Sequence, residues 1–551
     1  MPSFETWAAK SGHVIVRRQI AAAFAQRSVD CISPDGRLVL ILPISLLLAP
    51  TSQRFLVDWL SRVRPELIIN FGDMRRQMFA EADHGCGVVV ARPRDTTKTP
   101  VIPAKEHFDY WVPKVDVSLA FGRLTLHTGD RARLQTQEVI ENNALLRYRA
   151  WGSEADTRLV RRLLREGTIA DLCAMQGWVV GKGFNRARHT SEKLDPGPLR
   201  TMRFLDAKSI PRDWPVVPKD ALIPFPDEID SVVSHGSQEG AAFSGPRVVY
   251  PDGLSSGLEM RAAFIKTKCC FKHTVAAIRG KPRDEDLLRF LAIYLRSPLV
   301  RYLILQTAFS PANERERITV REVDALPIKA PSTPALQKIV AKVADISRAL
   351  DVEVNSVLTS QRPDLRKAYA LIESYMGLSA SEKGLVQNVA DWALPSRQRG
   401  GEAAAQTLWQ SAPSDVDLGR YALALQDELT MLRQARDGRG SFSVTVHAGR
   451  RFSGRGVGVI EVMLDPTERK HAVTVQARSL DAVEALLERL AQERVLPMEV
   501  TENLFLSSDI CVIQGNRAYF VKPLARRLWR VGLAAEDADR LVEIVVKEHV
   551  A

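Results

Sequence analysis

Apolar residues near the start of the chain form three short runs, at residues 38–42, 67–71 and 88–90. Each run is continuous and is bounded by turn-forming residues, which is typical of strands that are buried on both faces of a sheet. Residues 14–27 and 53–63 instead have apolar positions at helical spacing. The order helix, strand, helix, strand predicts right-handed crossovers and a parallel sheet. The pattern amounts to roughly half of an open α/β sheet.

This arrangement predicts where a ligand would bind. Ligands of such sheets bind beyond the carboxyl ends of the strands. Those ends fall near residues 43–45 and 71–73. We therefore expect the site of this domain to lie there.

The pattern changes several times along the 551 residues, and these changes predict five segments. They are a half α/β domain (1–93), a polar connector (94–150), a mixed α+β region (151–330), a helical region (331–436) and a small α+β domain (437–551).

Composition narrows the choice of partner and compartment. The chain has 76 basic and 65 acidic residues, and this excess suits a polyanion such as DNA as well as an ordinary solvated basic surface. Its six cysteines show no C-x-x-C spacing, which favours reduced thiols over disulfides or a zinc site. There is no apolar run of about 18 residues and no signal-peptide pattern. We expect a cytoplasmic protein that holds no metal and does not enter a membrane.

The string ISPDGRLVLILPISLLLAP, residues 32–50, resembles the part of adenine-specific (N-6) DNA methyltransferases that follows their catalytic motif. An Ile-Asn-Phe strand at 69–71, then Phe79 and a Val-rich strand at 88–90, continue the order of that family. The resemblance covers about residues 1–93. It implies a partial Rossmann-like methyltransferase sheet and direct methyl transfer from S-adenosylmethionine to the amine of adenine, in a restriction–modification or defence setting.

Two parts of that family's pattern have no counterpart here. These enzymes resemble one another in a glycine-rich loop that binds S-adenosylmethionine and in an Asn-Pro-Pro-aromatic motif, and Met1 to Glu5 (MPSFE) stands where that motif is expected. The chain begins inside the motif, or the motif has decayed, or these residues are only a tail. The strings at 181–183 and 454–458 are glycine-rich, but neither has the G-x-G-x-x-G spacing. The cofactor-binding residues are therefore unknown, and a partner polypeptide is expected to carry them.

Phe79 is the candidate catalytic-site residue. Enzymes that modify a base extrude it from the duplex and hold it against apolar faces. In the resembling enzymes an aromatic residue just before the Val-rich strand stacks on the flipped adenine, and Phe79 matches it by position. The alternative is a core aromatic at the end of a helix.

Residues 167–330 resemble the target-recognition domains of these methyltransferases and of restriction-system specificity subunits. Short strands precede a helix with a Leu-x-Ser-Pro turn (295–298), a charged Arg-Glu-Arg segment follows, and Leu-Pro-Ile (326–328) closes the region.

Arg and Asn can contact guanine and adenine edges, and Lys mostly contacts phosphate. The candidate DNA-binding residues are Lys182, Asn185, Arg186, Arg188, Arg315 and Arg317, and for the last two the interleaved Glu314 and Glu316 favour salt bridges within the protein.

The sequence thus predicts part of a site-specific DNA adenine N-6 methyltransferase that binds double-stranded DNA and needs a partner for its cofactor. The alternative is a non-catalytic DNA-binding specificity subunit of a restriction–modification or phage-defence system.

Overall fold

The computed structural model describes most of the chain. The described residues are 4–16, 19–79, 84–94, 102–103, 105–115, 124, 126–187, 193–310, 316–356, 362–397, 411–435, 438–450, 456–465, 473–493 and 510–550. The chain divides into two compact units. Unit 1 combines Met1–Arg158 with Ala380–Ala551, and unit 2 is Leu159–Ser379. Unit 1 is therefore formed by two stretches that are distant in sequence.

The first sheet of unit 1, the N-terminal sheet, has five strands in the order β1-β3-β2-β4-β5. They are β1 (Leu38–Pro43), β2 (Val63–Asn70), β3 (Cys86–Pro93), β4 (His107–Trp111) and β5 (Arg131–Gln135). Strands β1 and β2 run in the same direction, but β3 lies between them and is antiparallel to both. Strand β4 is parallel to β2, and β5 is antiparallel to β4.

The three predicted strands and the α/β class are present, but the prediction of a parallel sheet is wrong. Continuous apolar runs look alike in parallel and antiparallel pairings, so the pattern of the sequence did not reveal the reversed direction of β3. The described part of the segment that was predicted as a connector also contributes two strands, β4 and β5, to this sheet.

Helices cover one face of the N-terminal sheet beside its first strands. The helices of this part of the chain are α1 (Phe4–Ser11), α2 (Ile20–Asp30), α3 (Ser45–Leu48), α4 (Gln53–Arg62), α5 (Arg75–Met78), α6 (Thr136–Glu141) and α7 (Ala144–Trp151). Helix α2 packs on β1 and α4 packs on β2. The two helices are joined by a hydrogen bond of 3.1 Å that the Trp59 indole N–H donates to the Ala25 carbonyl. They therefore form one layer.

Unit 2 contains three small sheets and a group of helices. Its sheets have the strand orders β12-β11-β14-β6, β13-β8-β9 and β10-β7. The strands are β6 (Val179–Lys182), β7 (Asn185–Arg186), β8 (Arg203–Leu205), β9 (Leu222–Ile223), β10 (Val232–Ser234), β11 (Arg247–Pro251), β12 (Ala263–Ile265), β13 (Cys269–Cys270) and β14 (Val275–Arg279). The helices from here to Tyr375 are α8 (Glu154–Arg165), α9 (Ile169–Gln176), α10 (Gly197–Arg200), α11 (Glu285–Tyr294), α12 (Pro298–Thr307), α13 (Val320–Asp324), α14 (Pro334–Ser356) and α15 (Arg366–Tyr375).

The second sheet of unit 1, the C-terminal sheet, has the strand order β17-β15-β16-β19-β18. Its strands are β15 (Ser441–Arg450), β16 (Gly456–Asp465), β17 (Thr474–Ser479), β18 (Ile510–Gln514) and β19 (Arg517–Pro523). The helices of this region are α16 (Ala380–Asn388), α17 (Leu394–Ser396), α18 (Asp415–Gln434), α19 (Leu480–Gln492) and α20 (Val531–Val550).

Helices lie on both faces of the C-terminal sheet. On one face, Val483 and Leu487 of α19 pack in a buried cluster with Val521 of β19. The neighbouring residue Lys522 points to the opposite face, since side chains alternate along a strand. There its ammonium binds Asp537 of α20 and donates to the Tyr421 hydroxyl of α18 over 3.1 Å.

Candidate functional site

The ends of three strands meet at one edge of the N-terminal sheet. Pro43, the last residue of β1, pairs with Cys86, the first residue of β3. The Ile44 amide donates to the Gly85 carbonyl over 2.9 Å, and the Phe71 amide donates to the Cys86 carbonyl over 3.0 Å. The carboxyl ends of β1 and β2 therefore lie at a common edge, as the sequence predicted for residues 43–45 and 71–73.

A buried amide fixes the turn that leaves β2 at this edge. The Asn70 side-chain N–H donates to the Tyr110 hydroxyl over 2.9 Å, and its oxygen accepts from the Gly72 amide over 2.8 Å. The Tyr110 hydroxyl in turn donates to the Leu146 carbonyl over 2.9 Å. Burial raises the pKa of Tyr110, so the hydroxyl stays protonated and remains a donor. This network ties β2, β4 and α7 together.

Lys114 and Asp73 follow the carboxyl ends of β4 and β2, and they interact electrostatically. The Asp73 carboxylate accepts a hydrogen bond of 3.1 Å from the Val115 amide. The buried Lys114 ammonium donates to the Ala150 carbonyl and lies 4.3 Å from the centre of the Trp151 ring.

Burial shifts the ionisation of both members of this pair. It lowers the pKa of Lys114 to about 8, although the nearby carboxylates of Asp73 and Asp130 oppose the shift. Burial likewise raises the pKa of Asp73. The charged pair is therefore buried at a cost in folding free energy, and its hydrogen bonds to the Ala150 carbonyl and the Val115 amide fix the positions of the two side chains.

Phe79 lies on the connection that runs along this edge between β2 and β3. It caps the carboxyl end of α5 in an extended conformation, and its amide donates to the Arg75 carbonyl over 3.1 Å. Its side chain is 49% exposed, so Phe79 is not a core aromatic. An exposed ring can stack on a flat ligand; that role of Phe79 stays a prediction.

Unit 2 holds three of the candidate DNA-binding residues on one short segment. Lys182 ends β6, and its amide donates to the Ser237 hydroxyl over 2.9 Å. Asn185 and Arg186 form β7 and are both exposed, and the Arg186 guanidinium donates to the Glu228 carbonyl over 2.9 Å. Lys182, Asn185 and Arg186 therefore lie on the two consecutive strands β6 and β7.

Phe184 anchors this segment in the core of unit 2. It is fully buried among Phe204 and Phe225, and its amide donates to the Phe271 carbonyl over 2.9 Å. At Gly183 a β-carbon would clash with that same carbonyl, so the close approach of the two backbones requires glycine. The polar residues on either side are therefore held on a firmly packed base.

Of the other three candidate DNA-binding residues, one is paired within the protein and two lie outside the described residues. Arg317 forms a 2.8 Å ion pair with Asp252 while more than half of its side chain is exposed, which agrees with the salt-bridge alternative. Arg188 and Arg315 lie outside the described residues. A DNA-binding role for these residues stays a prediction.

The described residues do not fit S-adenosylmethionine. Among them, no glycine-rich loop follows a strand and opens a helix: Gly181 lies within β6, and Gly456 and Gly458 lie within β16. Residues 454–455, the rest of that second glycine-rich string, lie outside the described residues. The part of the chain that the structure describes also contains no cluster of His, Cys, Asp and Glu that could hold a metal ion. Nor does it contain a helix long and apolar enough to cross a membrane.

The sequence matches no protein-family model and no curated protein. Three solved structures that the chain is similar to are restriction–modification proteins. The type IIG restriction endonuclease BpuSI has a TM-score of 0.30 and 12% identity, over 72% of this chain and 52% of that one. The type IIL restriction–modification enzyme MmeI, solved in complex with DNA, has 0.33 and 8%, over 70% and 51%. A chain of a type I restriction–modification complex has 0.18 and 15%, over 47% and 61%.

This chain therefore spans about half the length of the BpuSI and MmeI chains that it matches. All three TM-scores lie below 0.5 and all three identities below 25%, so what the chain does has to be inferred from its own residues.

Proposed function

We propose that this chain is one part of a site-specific DNA adenine N-6 methyltransferase. It supplies one wall of the adenine pocket and the surface that recognises the DNA target, while a partner polypeptide carries the S-adenosylmethionine site. The observation that carries this proposal is the exposed Phe79 at the edge where the carboxyl ends of β1 and β2 meet. The motif order around it supports the same family.

A flipped adenine needs a flat apolar surface and a rigid edge. Phe79 offers the surface, and the Asn70–Tyr110 network keeps the neighbouring turn in place. S-adenosylmethionine, bound by the partner, supplies the methyl group. The residues of this chain orient the base and exclude water from one side of it.

Target recognition is assigned to Lys182, Asn185 and Arg186. The exposed Asn185 and Arg186 and the half-buried Lys182, on a packed base, suit contacts in the major groove, where Arg and Asn can read base edges and Lys can bind phosphate. The net charge of +11 favours association with DNA in general but does not select a sequence.

A methyl-transfer assay tests the role of Phe79. Purified chain is mixed with the polypeptide encoded immediately upstream of it, with tritiated S-adenosylmethionine and with duplex DNA, and incorporation of label is measured. Phe79→Ala should lower turnover by roughly 10- to 100-fold, because stacking on a base contributes about 1–3 kcal/mol. Specific DNA binding should change little.

Met78→Ala is the matched control, because Met78 is the adjacent residue and is similarly exposed. It should leave turnover unchanged. Equal turnover for wild type and Phe79→Ala would refute the stacking role.

Two binding measurements test the other parts of the proposal. Calorimetric titration of the chain alone with S-adenosylmethionine should show no tight binding, and tight binding would overturn the assignment of the cofactor to a partner.

Arg186→Ala should weaken DNA binding by about 1–3 kcal/mol if it contacts a base. Lys338→Ala is the control, since it removes a like charge from an exposed position on α14 of the same unit.

A non-catalytic DNA-binding specificity subunit is the second candidate. It is favoured by the recognition segment lying in a compact unit of its own. If no upstream or neighbouring polypeptide restores methylation while sequence-selective binding persists, this second function is the correct one.

A further inference from the structure

Strand β1 is buried on only one face. Leu38, Leu40 and Leu42 point into the protein, whereas Val39 and Ile41 are 61% and 65% exposed. A continuous apolar run such as LVLIL is typical of a strand covered on both faces. The sequence of β1 is therefore suited to a covering that none of the described residues supplies.

The open apolar surface continues onto the next two strands. Val39 pairs with Val90, and Ile41 pairs with Val88. On the far side of β3, Leu67 pairs with Val90 and Ile69 pairs with Val88. These four residues lie on the same face and are only half-buried; the corresponding positions of β4 and β5 include Asp109, Arg131 and Arg133. The apolar surface thus extends over β1, β3 and β2 and reaches Trp111 of β4, which pairs with Ile69, before the charged residues begin.

Two further features concern β1 and the helix that packs on it. Within the described residues, β1 is an end strand of its sheet, so its outer backbone groups have no strand partner. Helix α2, which packs on β1, leaves Ile20 and Phe24 largely exposed one turn apart. The unpaired edge of β1 and its open apolar face therefore lie side by side.

We propose that the outer edge of β1, together with the open apolar face of β1 and β3, docks a second polypeptide of α/β architecture. Its strand pairs with β1 in the parallel direction, and its helices cover Val39 and Ile41. The inference rests on the proposed function, because the docked chain is the one that carries the cofactor site.

The chemistry of the surface selects this occupant. DNA would meet apolar side chains rather than cations. An edge strand requires a strand for its backbone hydrogen bonds, and an apolar sheet face requires amphipathic helices. A second copy of this chain, related by a twofold axis, would pair β1 with β1 in the antiparallel direction. Only a parallel strand ends at the Pro43 and Phe79 edge, where parallel sheets hold their ligands.

Hydrogen exchange and binding measurements test the surface, with the polypeptide encoded immediately upstream as the probe. Adding the probe should slow amide exchange in residues 38–43 by about tenfold or more. Ile41→Lys should weaken binding of the probe by about tenfold or more, because it places a charge where an apolar side chain becomes buried.

Val352→Lys is the matched control, since Val352 of α14 is 71% exposed and lies in unit 2. It should bind the probe like wild type. Thermal unfolding of each variant without the probe establishes that both remain folded.

The possible results distinguish a failure of the docking surface from a failure of the proposed function. Methylation restored by the probe with unchanged exchange at 38–43 overturns the surface and leaves the function standing. Slowed exchange and weakened binding by Ile41→Lys without methylation support the surface and overturn the function. Absence of probe binding at micromolar concentration overturns the docking. A concentration-dependent dimer of the chain alone that Ile41→Lys disrupts shows instead that the occupant is a second copy.

Discussion

The two sheets of unit 1 both have five strands of mixed direction, but helices cover them differently. The C-terminal sheet has α19 on one face and α18 with α20 on the other. The N-terminal sheet has α2 and α4 on one face of its first strands and an open apolar surface on the other. The residues of β1 are no more polar than those of β15 or β16, so composition does not explain the difference.

The comparison shows which of the two sheets leaves apolar side chains exposed. The C-terminal sheet is stabilised by helices of this chain on both of its faces. A sheet with Val39 and Ile41 in solvent instead exposes an edge on which other chains can add a strand. Substitutions in the two sheets can test this difference, because replacing a buried side chain should lower the free energy of unfolding more than replacing an exposed one.

The largest effect is expected from the buried ion pair of the C-terminal sheet. Asp537→Ala leaves the fully buried Lys522 ammonium without its carboxylate, and Tyr421 loses its acceptor. The free energy of unfolding should fall by about 3–5 kcal/mol. Urea denaturation measures it, with Glu488→Ala on the exposed side of α19 as the control. A loss below about 1 kcal/mol would show that this face is less tightly closed than described.

A matched isoleucine pair compares the two sheets directly. Ile460 of β16 is fully buried, whereas Ile41 of β1 is mostly exposed. Ile460→Ala should cost about 2–5 kcal/mol, because it creates a cavity. Ile41→Ala should change stability by no more than about 0.5 kcal/mol in the chain alone. Equal costs in the same denaturation experiment would contradict the open face.

The smallest expected effect concerns the buried lysine of the N-terminal sheet. Burial lowers the pKa of Lys114 from 10.5 to about 8 in the folded protein. The unfolded chain therefore binds more protons between these two values, and stability should rise with pH across that window. Lys114→Met removes this rise, which should be on the order of 2 kcal/mol between pH 7.5 and pH 10, because each pKa unit corresponds to about 1.4 kcal/mol.

Denaturation at pH 7.5 and at pH 10 measures the rise in wild type and variant. Lys338→Met is the control, since Lys338 is exposed and should keep the wild-type dependence. The same increase in stability for wild type and Lys114→Met would rule out Lys114 as its source.

The local elements of the N-terminal sheet could be predicted from the sequence, whereas their pairing could not. Residues 38–42 and 53–63 correspond closely to β1 and α4. The insertion of β3 between β1 and β2 depends on which strands meet in space, and the three apolar runs look alike in either direction. The sequence also predicted burial of β1 on both faces, and the structure shows burial on one.

The candidate site was predictable as an edge but not as a set of contacts. The carboxyl ends of β1 and β2 do meet, and Phe79 lies beside them. Lys114 was missed because it follows strand β4, and that strand lies in the segment that was predicted to be a polar connector. Asp73 and Lys114 are far apart along the chain, and no spacing rule connects them. In unit 2, the sequence did show an aromatic residue, Phe184, between Gly183 and Asn185, and this residue is the buried one that holds the segment in place.

The discontinuous construction of unit 1 has a consequence for synthesis of the chain. Arg149 of α7 forms its 3.1 Å contact with Glu536 of α20, which lies 387 positions later. Unit 2 is complete in sequence once Ser379 has been made, whereas α7 must wait for α20. Because domains fold as units during translation, a ribosome stalled just after unit 2 carries one folded body and an N-terminal sheet that still lacks part of its own support.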